Sequence, residues 1–111
     1  MAMARATLGD LEVAVLLSVA RLGGDAYSAA VRRDVSERTQ REQTVGAVHA
    51  TLQRLENKKL VRSWMSDATP VRGGRAKRCY ALTAAGERAL EHAHAVHVAV
   101  WSGTGRRWRP A

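Results

Sequence analysis

The run from Thr44 to Val61 constrains this chain most. Val45, Val48, Leu52 and Leu55 recur at i, i+3, i+7 and i+10. That spacing predicts an amphipathic helix over about residues 44–58 with those four side chains turned to a core. The opposite side carries Gly46, Ala47, Ala50, Gln53, Arg54 and Asn57, with His49 and Thr51 on the flanks. Small residues let a helix approach a groove floor closely, and Gln and Arg donate hydrogen bonds to base edges or phosphates. Downstream, Arg72, Arg75, Lys77 and Arg78 surround the pair Gly73-Gly74. Glycine permits a tight tip that can lie against a phosphate backbone. A groove-entering helix beside a basic, glycine-tipped hairpin suits a nucleic-acid reader. Each half also has a plainer reading, as a solvated polar face and a solvated basic loop.

Charge favours the first reading. The 111 residues carry 18 Lys+Arg against 10 Asp+Glu, a formal net charge of +8. Such an excess on a chain of one-domain length points to a polyanion, nucleic acid before an anionic membrane surface. Aromatics are scarce, with three Trp, two Tyr and no Phe, so the core must be built from Leu, Val and Ala. Cys79 is alone, which rules out an intrachain disulfide and predicts a small buried hydrophobe. The apolar run Val13–Ala20 is too short for a membrane span, which takes roughly 20 residues. With no convincing signal peptide, the expected location is cytoplasmic.

Along the chain, residues 1–7 form a loose start. Leu8, Leu11, Val15, Val19 and Leu22 predict a first helix, and Val13, Ala14, Leu16, Leu17 and Ala20 fill much of its remaining surface. A helix apolar nearly all round needs cover on more than one side, and a short chain can supply only one. A second copy of the chain is the expected cover. Gly23-Gly24 ends this helix and Asp25 is the expected N-cap of the next, with Tyr27, Val31 and Val35 as its stripe. The polar residues 36–43 read as a connecting loop. Val61–Ser66 and Ala76–Leu82 read as two strands joined by a loop containing Pro70, and Thr83 caps a last helix reaching about Trp101. The expected fold is mainly α with a small β-hairpin: a winged helix-turn-helix over residues 8–82, a C-terminal dimerisation helix over 83–102 and a basic tail over 103–111.

These pieces together resemble the PadR-like winged-helix transcriptional regulators. The resemblance spans about residues 8–90. It rests on Leu8-Gly-Asp-Leu-Glu, on Ala26-Tyr-Ser, on the run from Gly46 to Val61, and on Gly73-Gly-Arg-Ala-Lys-Arg-Cys-Tyr-Ala-Leu-Thr-Ala-Ala-Gly. It implies a homodimeric DNA-binding regulator, usually a repressor, whose third helix enters the major groove. The wing touches the backbone or minor groove, and the C-terminal helix dimerises. The family usually has Tyr where His49 stands, and an aromatic is common where Cys79 stands. Some members bind planar small molecules between subunits, so an effector is a further implied partner, with Trp101 or Trp64 as the ring against it.

The expected DNA-facing residues are then Thr44, Ala47, His49, Ala50, Gln53 and Arg54 on the helix, and Arg72, Arg75, Lys77 and Arg78 on the wing. Thr44 sits where helix N–H groups favour a phosphate. The expected dimer surface comprises Leu8, Leu11, Leu16, Leu90, Ala93, His94, His97 and Trp101. His94 and His97 share one side of the last helix and His92 points the other way, so no metal-ligand set is expected. No cofactor is called for. No nucleophile motif, carboxylate pair or phosphate loop points to an enzyme. A protein–protein adaptor on the same scaffold, using its basic charge on an acidic partner, is the alternative.

Overall fold

The computed structural model describes residues 8–67 and 76–103. In chain order it contains α1 (Asp10–Leu22), a 3-10 turn (Gly23–Asp25), α2 (Ser28–Thr39), α3 (Val45–Asn57), β1 (Val61–Met65), β2 (Arg78–Leu82) and α4 (Ala84–Trp101). The expected order of elements and the mainly α class both hold. β1 and β2 pair antiparallel, with Val61 opposite Leu82 and Met65 opposite Arg78. The core is assembled by α1, α2, α3 and the hairpin: Val15, Leu16, Val19, Val31, Val35, Val48, Leu52, Leu55, Val61 and Tyr80 are all buried in one cluster. Cys79 is a free, buried thiol, as its strand position predicted.

Four local expectations are corrected. Asp25 does not cap α2; it lies in the 3-10 turn, and the N-cap position is Tyr27. Pairing with β2 explains the delay. Tyr80 N–H donates to the Ala26 carbonyl at 2.9 Å and Tyr27 bridges Cys79, which holds Ala26–Tyr27 extended before the helix can begin. Next, α2 runs through the polar stretch to Thr39. Arg38 pairs with Asp34 one turn back, and the Thr39 hydroxyl donates to the Val35 carbonyl. Such contacts sustain a helix that has no apolar residues of its own there. On α3, Val45 is 65% exposed instead of packed, because the first core-reaching position on that helix is Val48. Thr51 takes a buried place instead, its hydroxyl donating to the Ala47 carbonyl at 2.8 Å. Finally, Leu16 is fully buried within the chain's own core and presents no surface to a second copy.

The ends of α3 are closed locally. The Thr44 hydroxyl accepts from the Ala47 N–H at 3.0 Å. At the other end Leu60 N–H returns to the Leu55 carbonyl and Lys59 N–H to that of Glu56, both at 2.9 Å. This is a Schellman arrangement, with Lys59 at φ 64 in the place glycine usually takes. α4 is fastened to the same corner. The Thr83 hydroxyl donates to the Lys59 carbonyl at 2.7 Å and accepts from Gly86 N–H at 3.0 Å. Gly86 packs so closely that a Cβ there would lie 2.1 Å from the Leu60 carbonyl oxygen. Beyond Leu90, α4 leaves the body of the domain.

Candidate nucleic-acid interface

On α3 the buried side is Val48, Thr51, Leu52 and Leu55, so the face turned away from the core is centred on Gly46, Ala50, Gln53 and Asn57, all exposed. His49 flanks this face and is exposed. Ala47 is half-buried, near the edge that turns toward α1. Arg54 is exposed, but its head is held. Nη2 donates to the Thr51 hydroxyl at 3.1 Å, and Nε lies 3.8 Å from a Glu12 carboxylate oxygen on α1. A guanidinium fixed in this way points in one direction and loses less freedom on meeting a base edge.

The two described wing cations are also anchored. The Lys77 ammonium stands 4.1 Å from the centre of the Tyr27 ring, a cation–π contact. Tyr27 in turn has its phenol pKa lowered, first by a hydrogen bond with Arg33 and then by the charge of Lys77. Arg78 Nη1 donates to the Ser63 hydroxyl at 3.0 Å, and that hydroxyl donates to Glu56 on α3 at 2.6 Å. The base of the wing is thus tied by polar contacts to α3. Arg62 adds a further cation on β1, stacked over Trp64 at 4.9 Å. Arg72 and Arg75, expected at the wing tip, lie outside the described residues.

Sequence reasoning missed Glu12, Tyr27 and Arg33. Glu12 stands three residues after the N-cap Gly9, the position of a capping-box glutamate, and its Oε1 accepts the Gly9 N–H at 3.0 Å. Its Oε2 accepts from Lys58 Nζ at 2.9 Å across 46 residues of chain, which no local pattern could announce. Burial would push the Glu12 carboxyl up, but the bonds from Lys58 and Gly9 and the nearby Arg54 charge bring it below its ordinary value.

A second surface lies between α1 and α4. A groove of about 1180 Å³ is lined by Leu8, Val13, Leu17, Leu90, Val96 and Val100 among others, and by His94 and His97. His92 lines it too, although the helical spacing placed it on the other side; the groove is open and takes in a wide arc of α4. Trp101 is half-exposed with its ring 5.5 Å from His97, and neither Trp101 nor Trp64 is among the residues lining this groove. Leu11 leans on the chain's own core. Among the described residues no helix is long and apolar enough to cross a membrane. No group of three or more potential metal ligands forms among them.

Three helices around a core, a hairpin after the third and a capped face on that third helix define a winged helix-turn-helix protein. Solved structures share this fold. A PadR family transcription regulator from Clostridium difficile R20291 superposes with a TM-score of 0.70 over 89% of this chain and 98% of that one, at 22% identity. A PadR-like transcription factor from Bacteroides fragilis gives 0.70 over 88% and 89%, at 21% identity. RosR from H. salinarum gives 0.66 over 90% and 83%, at 22% identity. At these identities the likeness shows fold alone. No curated protein matches the chain in sequence. The family model of the transcriptional regulator PadR-like family matches residues 16–92, most of the chain, and the protein belongs to that family. It is a DNA-binding transcriptional regulator, in a family of regulators and not of enzymes.

Proposed function

We propose that this chain is a ligand- or stress-responsive repressor that acts in the cytoplasm as a homodimer on a pseudo-palindromic operator. The observation that carries the reading is the outward face of α3: small at Gly46 and Ala50, hydrogen-bonding at Gln53 and Asn57, and bordered by the held guanidinium of Arg54. This face enters the major groove, with His49 and Ala47 at its edges and Thr44 at the phosphate-facing end. Lys77 and Arg78, with Arg72 and Arg75 beyond them, lie along the backbone, and Arg33, beside Tyr27, extends that positive strip. Residues 8–82 form the reading unit and residues 83–102 the joining unit. Leu8, Leu90, Ala93, His94 and His97 meet a second copy across the groove between α1 and α4, Leu11 and Trp101 meet it outside the groove, and a small planar effector would lodge between the copies against Trp101. Two-fold symmetry of the protein then calls for two-fold symmetry in the DNA.

The test is selection of duplexes from a randomised pool, followed by binding across a salt series. The expected outcome is an inverted repeat bound with a steep salt dependence, and a Gln53→Ala variant whose preference for that repeat falls by roughly tenfold, the order of one lost base contact. Enrichment of no sequence, with binding that ignores salt, would sink the proposal.

A further inference from the structure

We propose that Glu12 is a specificity-determining positioning residue: from α1 it holds Arg54 and Lys58, two cations of α3 and its C-cap, and keeps them from adding sequence-blind phosphate contacts. The inference rests on the reading of α3 as the DNA-facing helix.

Glu12 is only 8% exposed. A buried carboxylate is costly unless its charge is matched, so its partners explain its presence. One oxygen takes the Gly9 N–H. A glutamine would serve that capping role as well, since capping boxes accept either residue. The negative charge is therefore not needed to begin α1. What the charge does is meet Lys58 Nζ at 2.9 Å and stand 3.8 Å from Arg54 Nε. Arg54 has a side chain 54% exposed, so a polyanion could reach it were its head not held, and Lys58, 35% exposed, stands where α3 ends beside the groove between α1 and α4, within reach of DNA from the α3 side.

Holding them matters because free cations bind any DNA. Each phosphate neutralised adds affinity for every sequence alike and steepens the salt dependence by close to one counterion. A helix that reads sequence gains discrimination when its surplus charge is neutralised within the protein and its guanidinium points one way. Glu12 does both to Arg54, with Thr51 as the second hold. A carboxylate that merely braced α1 against α3 would give a different result on removal: a less stable protein that binds all DNA less well.

The experiment measures anisotropy of two labelled duplexes of roughly 30 base pairs, enough for two half-sites a turn apart. One has random sequence; the other is the duplex the wild-type protein selects most strongly from a randomised pool. Glu12→Gln keeps the cap and removes the charge. Its expected effect is binding to the random duplex roughly three- to tenfold tighter, a salt slope steeper by about one to two, and a lower ratio of selected to random affinity. Adding Arg54→Ala and Lys58→Ala to Glu12→Gln should return the slope to the wild-type value. An unchanged slope, or equal weakening on both duplexes, overturns the proposal. Lys58→Gln, a change at a partly exposed position, gives a second measurement should Glu12→Gln fold poorly. With Lys58 already held by Glu12, the wild-type slope should be kept; a slope flatter by about one overturns the proposal. If the wild type itself binds neither duplex, the reading of α3 fails. If it binds with Gln53-dependent preference and Glu12→Gln changes nothing, this inference alone fails.

Discussion

α3 and α4 meet at one corner, where Lys59 and Leu60 take the bonds of Thr83, yet they are finished in opposite ways. α3 sinks Val48, Thr51, Leu52 and Leu55 completely, and both of its ends are satisfied by its own chain. α4 is longer, but its one buried residue is Gly86. Its far half leaves Val96 at 47%, Val98 at 51%, Val100 at 71% and Trp101 at 49% exposure. A helix held on one side and polar on the other is complete within a single chain. A helix that leaves Val and Trp side chains exposed along its far half has apolar surface that its own chain does not cover. α3 is thus fixed by intramolecular contacts before any partner arrives, while the apolar surface of α4 is left over, and in our proposal a second copy covers it.

The largest break in that comparison should come from the buried side of α3. Leu52→Ala removes a fully buried side chain from the centre of the core, and is expected to lower unfolding free energy by about 2–5 kcal/mol. Urea unfolding measures it, and the loss should be the same at every protein concentration, because the cavity lies inside one chain. A loss below about 0.5 kcal/mol, the range of surface substitutions, would mean that α3 is not packed as described.

Val100→Asp attacks the other helix and should act on association. The side chain is well exposed in the single chain, so a carboxylate there leaves the winged-helix core alone. Buried against a second copy it would be an unpaired charge, a cost of several kcal/mol per ion. Sedimentation should show the mass falling from two chains to one, with the helical circular dichroism retained. A wild-type protein that is already monomeric at micromolar concentration removes the dimer from the proposal. A Val100→Asp variant that stays dimeric moves the interface elsewhere on the molecule.

The contrast between the helices also explains what could be read in advance. The positions of α1, α3 and α4 were legible because their signals are local: apolar recurrence, Thr83 as a cap, and Gly23 at φ 58 as a stop. The side of α3 that faces out was legible for the same reason, save at Val45, where periodicity could not show that the helix tip overhangs the core, and at Ala47 and Thr51, which turn further inward than the spacing placed them. Leu16 misled because a helix apolar all round does not reveal which stripe its own domain covers. Asp25 misled because pairing of Ala26 and Tyr27 with β2 overrides a good capping residue. The charged hold on α3 was hidden for a different reason. Glu12 and Lys58 lie 46 residues apart, and only the packing of α1 across α3 brings them together.

The smallest expected effect is on acid stability, and it separates the joints of α3 from that of α4. Glu12 and Asp34 both have carboxyl pKa values below their ordinary 4.5 and 3.8. For each, burial pushes upward and is outweighed, for Glu12 by hydrogen bonds led by Lys58 and for Asp34 by those led by Arg21. A folded pKa below the unfolded one means that the unfolded chain binds the proton more readily. The stabilisation is fully present above the unfolded values and is lost as pH falls through the folded ones. Stability should therefore hold from neutral pH down to about 4.5 and decline below it. The joints that weaken are α1 to α3 through Glu12 and Lys58, and α1 to α2 through Arg21 and Asp34. The start of α4 is fastened by the Thr83 hydroxyl to the Lys59 carbonyl and by the Thr83 N–H to the Leu60 carbonyl, groups that do not titrate there. Urea midpoints measured from neutral to acid pH check this, with Glu12→Gln and Asp34→Asn combined. The double variant should start lower at neutral pH and lose less on acidification, since two of the groups that gain protons are gone. Parallel acid declines in variant and wild type would assign the effect to other carboxylates, and the hold of Glu12 on α3 would then owe little to its charge.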